Sequence, residues 1–296
     1  MLPRLLSVAV LLTVVLLAVL QGSAGPSLPP PITVGGFQTP ESVLYDPTDD
    51  VYLVSNINGN PTGTDDNGFI SRLSPDGRIA SLKWIDGASA SVTLNAPKGM
   101  AISGDTLYVT DITTIRIFDR RTGQQKGSVA VPGATFVNDA ASGPDGSLYV
   151  TDSGLKPDFS PSGTDAVYRL RDGALATVAK GAHLKGPNGV AVLPNGNLVV
   201  VTFSQSGEMY EVTADGQQRS VQRLPQGQLD GVVVLQGGVL LVSSWAASAV
   251  YRVTGAAAEV FVSNVPSPAD IGYDTRRDRI LIPLFQRNRV VIQPLR

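Results

Sequence analysis

Val137-Asn138-Asp139-Ala140-Ala141-Ser142-Gly143-Pro144-Asp145-Gly146-Ser147-Leu148-Tyr149-Val150 is the stretch that decides the fold. Two short strand-forming runs flank a Pro-Asp-Gly turn, and Gly146 supplies the positive φ that a tight hairpin requires. Val167-Tyr168-Arg169-Leu170 follows as a third strand, so the unit reads as a small antiparallel sheet. The unit recurs. Its second strand returns as Val51-Tyr52-Leu53-Val54, Leu107-Tyr108-Val109, Leu198-Val199-Val200, Leu240-Leu241-Val242 and Ile280-Leu281-Ile282. Its third strand returns at 69–73, 115–118, 209–212, 250–253 and 290–292. Helical periodicity is absent beyond residue 24.

Six such units, spaced by roughly forty to fifty residues, predict an all-β fold, a six-bladed β-propeller. A sheet this small cannot bury both faces alone, so the blades must pack radially around an axis. The sixth unit runs out at Arg296 after its third strand, while Ile32-Thr33-Val34 precedes the first unit without a place. The N-terminal strand is therefore expected to close the last blade, with the propeller occupying residues 32–296.

Composition narrows the function. The chain carries 23 basic and 25 acidic side chains, a formal charge of −2 with no basic block. No nucleic-acid partner is expected from that balance. The absence of cysteine removes disulfides, thiolate nucleophiles, zinc ribbons and iron–sulfur clusters. His183 is the single histidine, so a site needing two imidazoles does not fit in one chain.

Residues 1–24 read as an address. Arg4 is their only charge, an apolar run extends from Leu5 to Leu20, and Gly22 and Ala24 are small residues placed for cleavage after Ala24. This is the pattern of a secretory signal peptide, with an uncleaved anchor as the alternative. Once cleaved, the protein is expected to be secreted or periplasmic, free of the membrane and monomeric. The Pro-rich residues 25–31 read as an extended spacer.

Aligning the units on the first residues of their inner strands sets Glu41, Lys98, Asn138, Asn188, Asp230 and Ala269 in one ring around the axis. Glu41, Asn138, Asn188 and Asp230 form a hard-oxygen set, which favours Ca²⁺ over zinc or copper, with another divalent ion as the alternative. Taken singly, each Asn or Asp is also a turn former that bonds its own backbone.

These blade starts resemble those of the senescence-marker-protein/gluconolactonase (regucalcin-like) family of lactonases. They are more distantly similar to squid-type phosphotriesterases and paraoxonases. The resemblance spans about residues 38–296. It implies a six-bladed propeller in which Glu41, Asn138, Asn188 and Asp230 surround a catalytic divalent ion, and a small-molecule substrate. It further implies hydrolysis of lactones or related esters, with water attacking a metal-polarised carbonyl. Asp230 is the expected general base, with Asp139 and Asp270 in reserve. Lys98 departs from the pattern by bringing a cation to the ring, and is expected either to lower metal affinity or to bind a substrate carboxylate or lactone oxygen. No histidine pair of the paraoxonase kind exists.

The second strands end at Asn56, Asp111, Asp152, Thr202, Ser244 and Leu284 on the same face as the ring. Asp111 and Asp152 are expected either to bind substrate or to cap turns. Two long connections, 56–68 and 152–165, are expected to rise over this face. Trp245 and Phe285 are expected to pack between blades, with lining of the pocket as the alternative, and His183 to lie on the surface. A non-catalytic propeller with a structural ion is the alternative functional reading.

Overall fold

Every second strand is apolar at consecutive positions because both of its faces are covered. In the computed structural model, which describes residues 29–295, Leu53 packs toward the second blade while its neighbours Tyr52 and Val54 pack toward the sixth. The period-two pleat thus sends alternate side chains into the two adjoining interfaces. The buried apolar residues accordingly fall into six clusters, one at each blade–blade interface.

Among the described residues the sheets are six, each of four antiparallel strands, and in the first five the strands run in sequential order from axis to rim. The first blade is Pro40–Asp46, Val51–Asn56, Phe69–Leu73 and Ile79–Asp86. Its outer strand is half-buried or exposed at every position but Ile85, as expected of a strand with no sheet beyond it. The sixth blade is Gly272–Asp274, Arg279–Leu284 and Arg289–Pro294, completed at its rim by Ile32–Gly35. Ile32 pairs with Ile292 and Gly35 with Arg289, so the two ends of the described chain share one sheet as the sequence predicts. The signal segment 1–24 lies outside the described residues. No helix among the described residues is long and apolar enough to cross a membrane.

The seam between the sixth and first blades is clasped along its length. Asp270 N–H donates to Glu41 O at 2.9 Å beside the axis, and Tyr52 Oη donates to Asp274 Oδ2 at 2.6 Å. Further out, Arg277 grips Asp50 through two parallel N–H···O bonds of 2.8 and 2.6 Å. Phe37, fully buried behind the closing strand, packs with Val290 and Ile292. Deleting Ile32 to Phe37 is therefore expected to leave an unpaired strand edge and an open apolar cluster. Size-exclusion chromatography and thermal melting should show aggregation or a marked loss of stability relative to the full chain.

Candidate active site

The site begins with an irregularity repeated around the ring. In the first blade Pro40 pairs with Asn56 and Val43 with Val54, so Glu41 and Ser42 face Ser55 alone. The same bulge occurs at 97–100, 137–140, 187–190 and 229–232. A bulge re-aims the side chain it carries. It turns Glu41, Lys98, Asn138, Asn188 and Asp230 toward one cavity of about 430 Å³ at the mouth of the channel. Ala269, the sixth ring residue, is buried and does not line it.

Small side chains permit the convergence. A Cβ on Gly189 would stand 2.2 Å from Asp230 O, and one on Gly231 would stand 2.4 Å from Ile271 N. Hydroxyls opposite the bulges tie blade to blade. Thr151 Oγ1 donates to Asn188 O at 2.6 Å, Ser243 Oγ to Ala269 O at 2.8 Å, and Thr110 Oγ1 to Asn138 O.

The floor of the cavity is polar and buried. Asn138 donates its amide N–H to Ser153 Oγ at 3.0 Å, which leaves its carbonyl oxygen available. Ser153 Oγ donates its own hydrogen bond to Pro187 O at 2.8 Å. Glu41 Oε2 and Asp230 Oδ1 are buried without any hydrogen-bond partner. Lys98, 1% exposed, donates to Ala96 O at 3.0 Å, and its ammonium lies 4.4 Å from the centre of the Phe136 ring. No ion pair joins it to Glu41 or Asp230 among the described residues.

Burial, reinforced by Asp230 and Asp270, pushes the Glu41 carboxyl well above the usual range, against the opposing pull of Lys98. Burial and Asp270 do the same to Asp230, while the Trp245 indole acts weakly in the other direction. Lys98 is pushed down to about 8 by burial, opposed by Glu41 and Asp111. An unpaired buried carboxylate is costly. Two such oxygens from different blades, flanked by two amides, therefore fit a hard dication. Among the described residues no group of three or more His, Cys, Asp and Glu converges to hold a metal, so this set depends on its amides.

Asp139 and Asp270, the reserve bases, face the other way. They line a smaller cavity of about 150 Å³ on the far side of the ring. Asp139 accepts from Val190 N–H at 2.7 Å and Ala140 N–H at 2.6 Å, and Asp270 accepts from Ser42 Oγ at 2.5 Å. Burial pushes Asp270 up to about 7 and Asp139 well above its usual range, the latter reinforced by Asp270.

The second-strand ends correct the sequence reading. None of Asn56, Asp111, Asp152, Thr202, Ser244 and Leu284 lines the mouth cavity; each is buried. Asp111 and Asp152 cap turns and do not line the cavity. Asp111 accepts from Ala96 N–H at 2.8 Å and pairs with Arg116 at 2.8 Å. Asp152 accepts from Phe136 N–H at 2.9 Å and Gly154 N–H at 3.1 Å. Asn56 does the equivalent in the first blade, accepting from Gln38 N–H at 2.9 Å. The residue one step further along faces the cavity instead: Ile57, Ser153, Phe203, Trp245 and Phe285. A one-residue step reverses the facing of a strand side chain, which is why alignment on strand ends selected the wrong set. Trp245 and Phe285 thus line the pocket. The two long connections contribute as expected, through Pro61 and through Leu155 and Phe159. His183 is exposed in a short 3₁₀ turn away from the site.

The SMP-30/gluconolactonase/LRE-like region matches residues 40–271. The chain belongs to that family. Among solved structures, a gluconolactonase of Xanthomonas campestris superposes with a TM-score of 0.69 at 21% identity, covering 90% of this chain and 89% of its own. Virginiamycin B lyase of Staphylococcus aureus, solved as a catalytically inactive histidine-to-alanine variant with quinupristin, gives 0.60 at 16% identity, covering 90% and 99%. A luciferin-regenerating enzyme gives 0.63 at 13% identity, covering 90% and 98%. At such identities the likeness carries the propeller fold alone. No curated protein matches the sequence.

Two measurements test this electrostatic layout. Asp152→Ala strands the N–H groups of Phe136 and Gly154, and should cost about 1–3 kcal/mol in denaturant unfolding. The second is the pH dependence of stability without added cation. An unfolded carboxyl titrates near 4, so between that value and about 7 the folded state holds protons that the unfolded chain has released. The contribution of these carboxyls to stability should be largest below about pH 4 and fall as the pH rises through about 7, the reverse of the usual salt-bridged carboxylate. Lys98 contributes oppositely only above about pH 8. A melting temperature rising from pH 5 to 8 in chelated protein would contradict the raised carboxyls.

Proposed function

We propose that this chain is an exported, Ca²⁺-dependent hydrolase of lactones or related carboxylic esters. The observation that carries the reading is the pair of buried, unpartnered oxygens, Glu41 Oε2 and Asp230 Oδ1, on the floor of a small-molecule cavity. Asn138 and Asn188 complete the oxygen set from two further blades. Family membership supports the lactonase class. The export reading rests on residues 1–24, and N-terminal sequencing of secreted protein should find cleavage after Ala24.

Glu41, Asn138, Asn188 and Asp230 would hold the ion, which when bound polarises the ester carbonyl and compensates the charge of the floor. Asp230 then takes a proton from the attacking water as the new C–O bond forms. The same carboxyl returns that proton to the departing alkoxide as the old C–O bond breaks. Lys98 has one N–H committed to Ala96 O and its remaining donors free for the acyl oxygen or the product carboxylate. Ser153 fixes the Asn138 amide so that its oxygen, not its nitrogen, faces the floor. A lyase reading is less well served, because the cavity contains no histidine.

Adding Ca²⁺ at about a hundredfold over its dissociation constant to chelated protein should stabilise the fold by about 2.7 kcal/mol. It should also flatten the pH dependence of melting. Asp230→Asn keeps an oxygen donor but removes the base, so saturating Ca²⁺ should restore the thermal shift while hydrolysis stays reduced by about a hundredfold or more. Full rescue of hydrolysis would leave Asp230 a ligand only. Cation binding by a parent protein that hydrolyses no ester would replace the enzyme with a scaffold carrying a structural ion.

A further inference from the structure

Above its polar floor the cavity is walled by Ile57, Phe136, Phe159, Phe203, Trp245 and Phe285. Phe203 meets Trp245 edge-on with ring centres 5.3 Å apart, and Trp245 meets Phe285 at 5.1 Å, so three blades join in one aromatic wall. Opposite stands a second pair, Phe136 and Phe159, with centres 6.3 Å apart. Phe159 caps the long connection of the third blade and is 52% exposed, unlike the rest of the wall. Its backbone sits at φ 61°, a conformation unfavourable for a bulky residue. A turn bond from Phe159 N–H to Lys156 O at 2.8 Å holds it there.

The polar capacity of this wall is small. Ser153 Oγ is consumed by Asn138 and Pro187. Beyond Ser153, the wall offers only the Trp245 Nε1 donor, which is buried and lies beside the Asp230 carboxyl of the floor. A ring bearing several hydroxyls would leave most of them unpaired against aromatic carbon, each costing on the order of tenfold or more in affinity. A flat or alkylated apolar group would instead bury its surface against five aromatic rings and Ile57.

We propose that the site selects an apolar lactone or ester, a single carbonyl head over the floor with an aryl or alkyl body against the wall, and rejects polyhydroxylated sugar lactones. The carbonyl-on-floor part of this assignment rests on the hydrolase reading above; the apolar selectivity does not.

The test separates the two. In a Trp84→Phe protein Trp245 is the sole tryptophan, so its fluorescence reports occupancy of the cavity directly. Trp84 lies in the interface between the first and second blades, away from the site. With Ca²⁺ present, a benzo-fused δ-lactam that cannot be hydrolysed should perturb this fluorescence and bind at least a hundredfold more tightly than the polyhydroxylated δ-lactam of gluconic acid. The corresponding lactones, dihydrocoumarin and glucono-δ-lactone, should differ in kcat/KM in the same direction and by a similar factor. Phe285→Ser should weaken the benzo-fused lactam about tenfold while leaving the Ca²⁺-induced thermal shift intact. Tighter binding or faster turnover of the hydroxylated ring would overturn the proposal. So would the absence of any fluorescence response to the apolar lactam at millimolar concentration. Selective lactam binding by a protein that opens no lactone would sink the hydrolase reading and leave the apolar selectivity standing.

Discussion

Six inner strands can meet at one axis only if their backbones approach closely, and the site depends on that constraint. The residue after the ring position is glycine in three blades, at Gly99, Gly189 and Gly231, where any Cβ would collide with the neighbouring blade. In the other three it is Ser42, Asp139 or Asp270, whose side chains make hydrogen bonds to other blades. Threonine and serine hydroxyls then satisfy the carbonyls that the bulges free from ladder pairing. Packing, backbone satisfaction and the aim of the floor residues are therefore one arrangement.

That arrangement concentrates charge. Glu41 and Asp230 face the mouth while Asp139 and Asp270 face the far side, all buried around one axis, with the Lys98 ammonium acting on Glu41. Burial there weakens their solvation, so protons or a cation offset the charge. Lys98 compensates only in part. It is turned toward the Phe136 ring and Ala96 O, which leaves the oxygens of Glu41 and Asp230 unpaired rather than locked in ion pairs. The mouth thereby keeps two unpaired carboxyl oxygens, one from each of two blades.

Floor and walls have different origins. The floor comes from inner-strand bulges, fixed by the repeat and by blade–blade packing, whereas the walls come from the residues just past the second strands and from two long connections. Loops on a rigid scaffold are free to vary without disturbing the core. Propellers of one family can in this way share a floor and differ in what they accept above it.

The repeat of hydrophobic hairpins was enough to determine the six blades, the closing N-terminal strand and the ring order Glu41, Lys98, Asn138, Asn188, Asp230, because each is a local pattern recurring at a fixed interval. The residues that wall the cavity were not legible in that way. Whether Asp152 or Ser153, Ser244 or Trp245, faces the axis depends on a single step of the pleat at a strand end, where ladder pairing stops and the loop takes over. Nor does spacing reveal that Asp139 and Asp270 turn to the opposite side of the ring from Asn138, since a bulge displaces neighbours in a direction set by the adjoining blade. The sequence by itself determined which chemical groups meet at the axis; only the tertiary structure decided which way each one points, because facing is set by bulges and blade contacts that join residues distant in the chain.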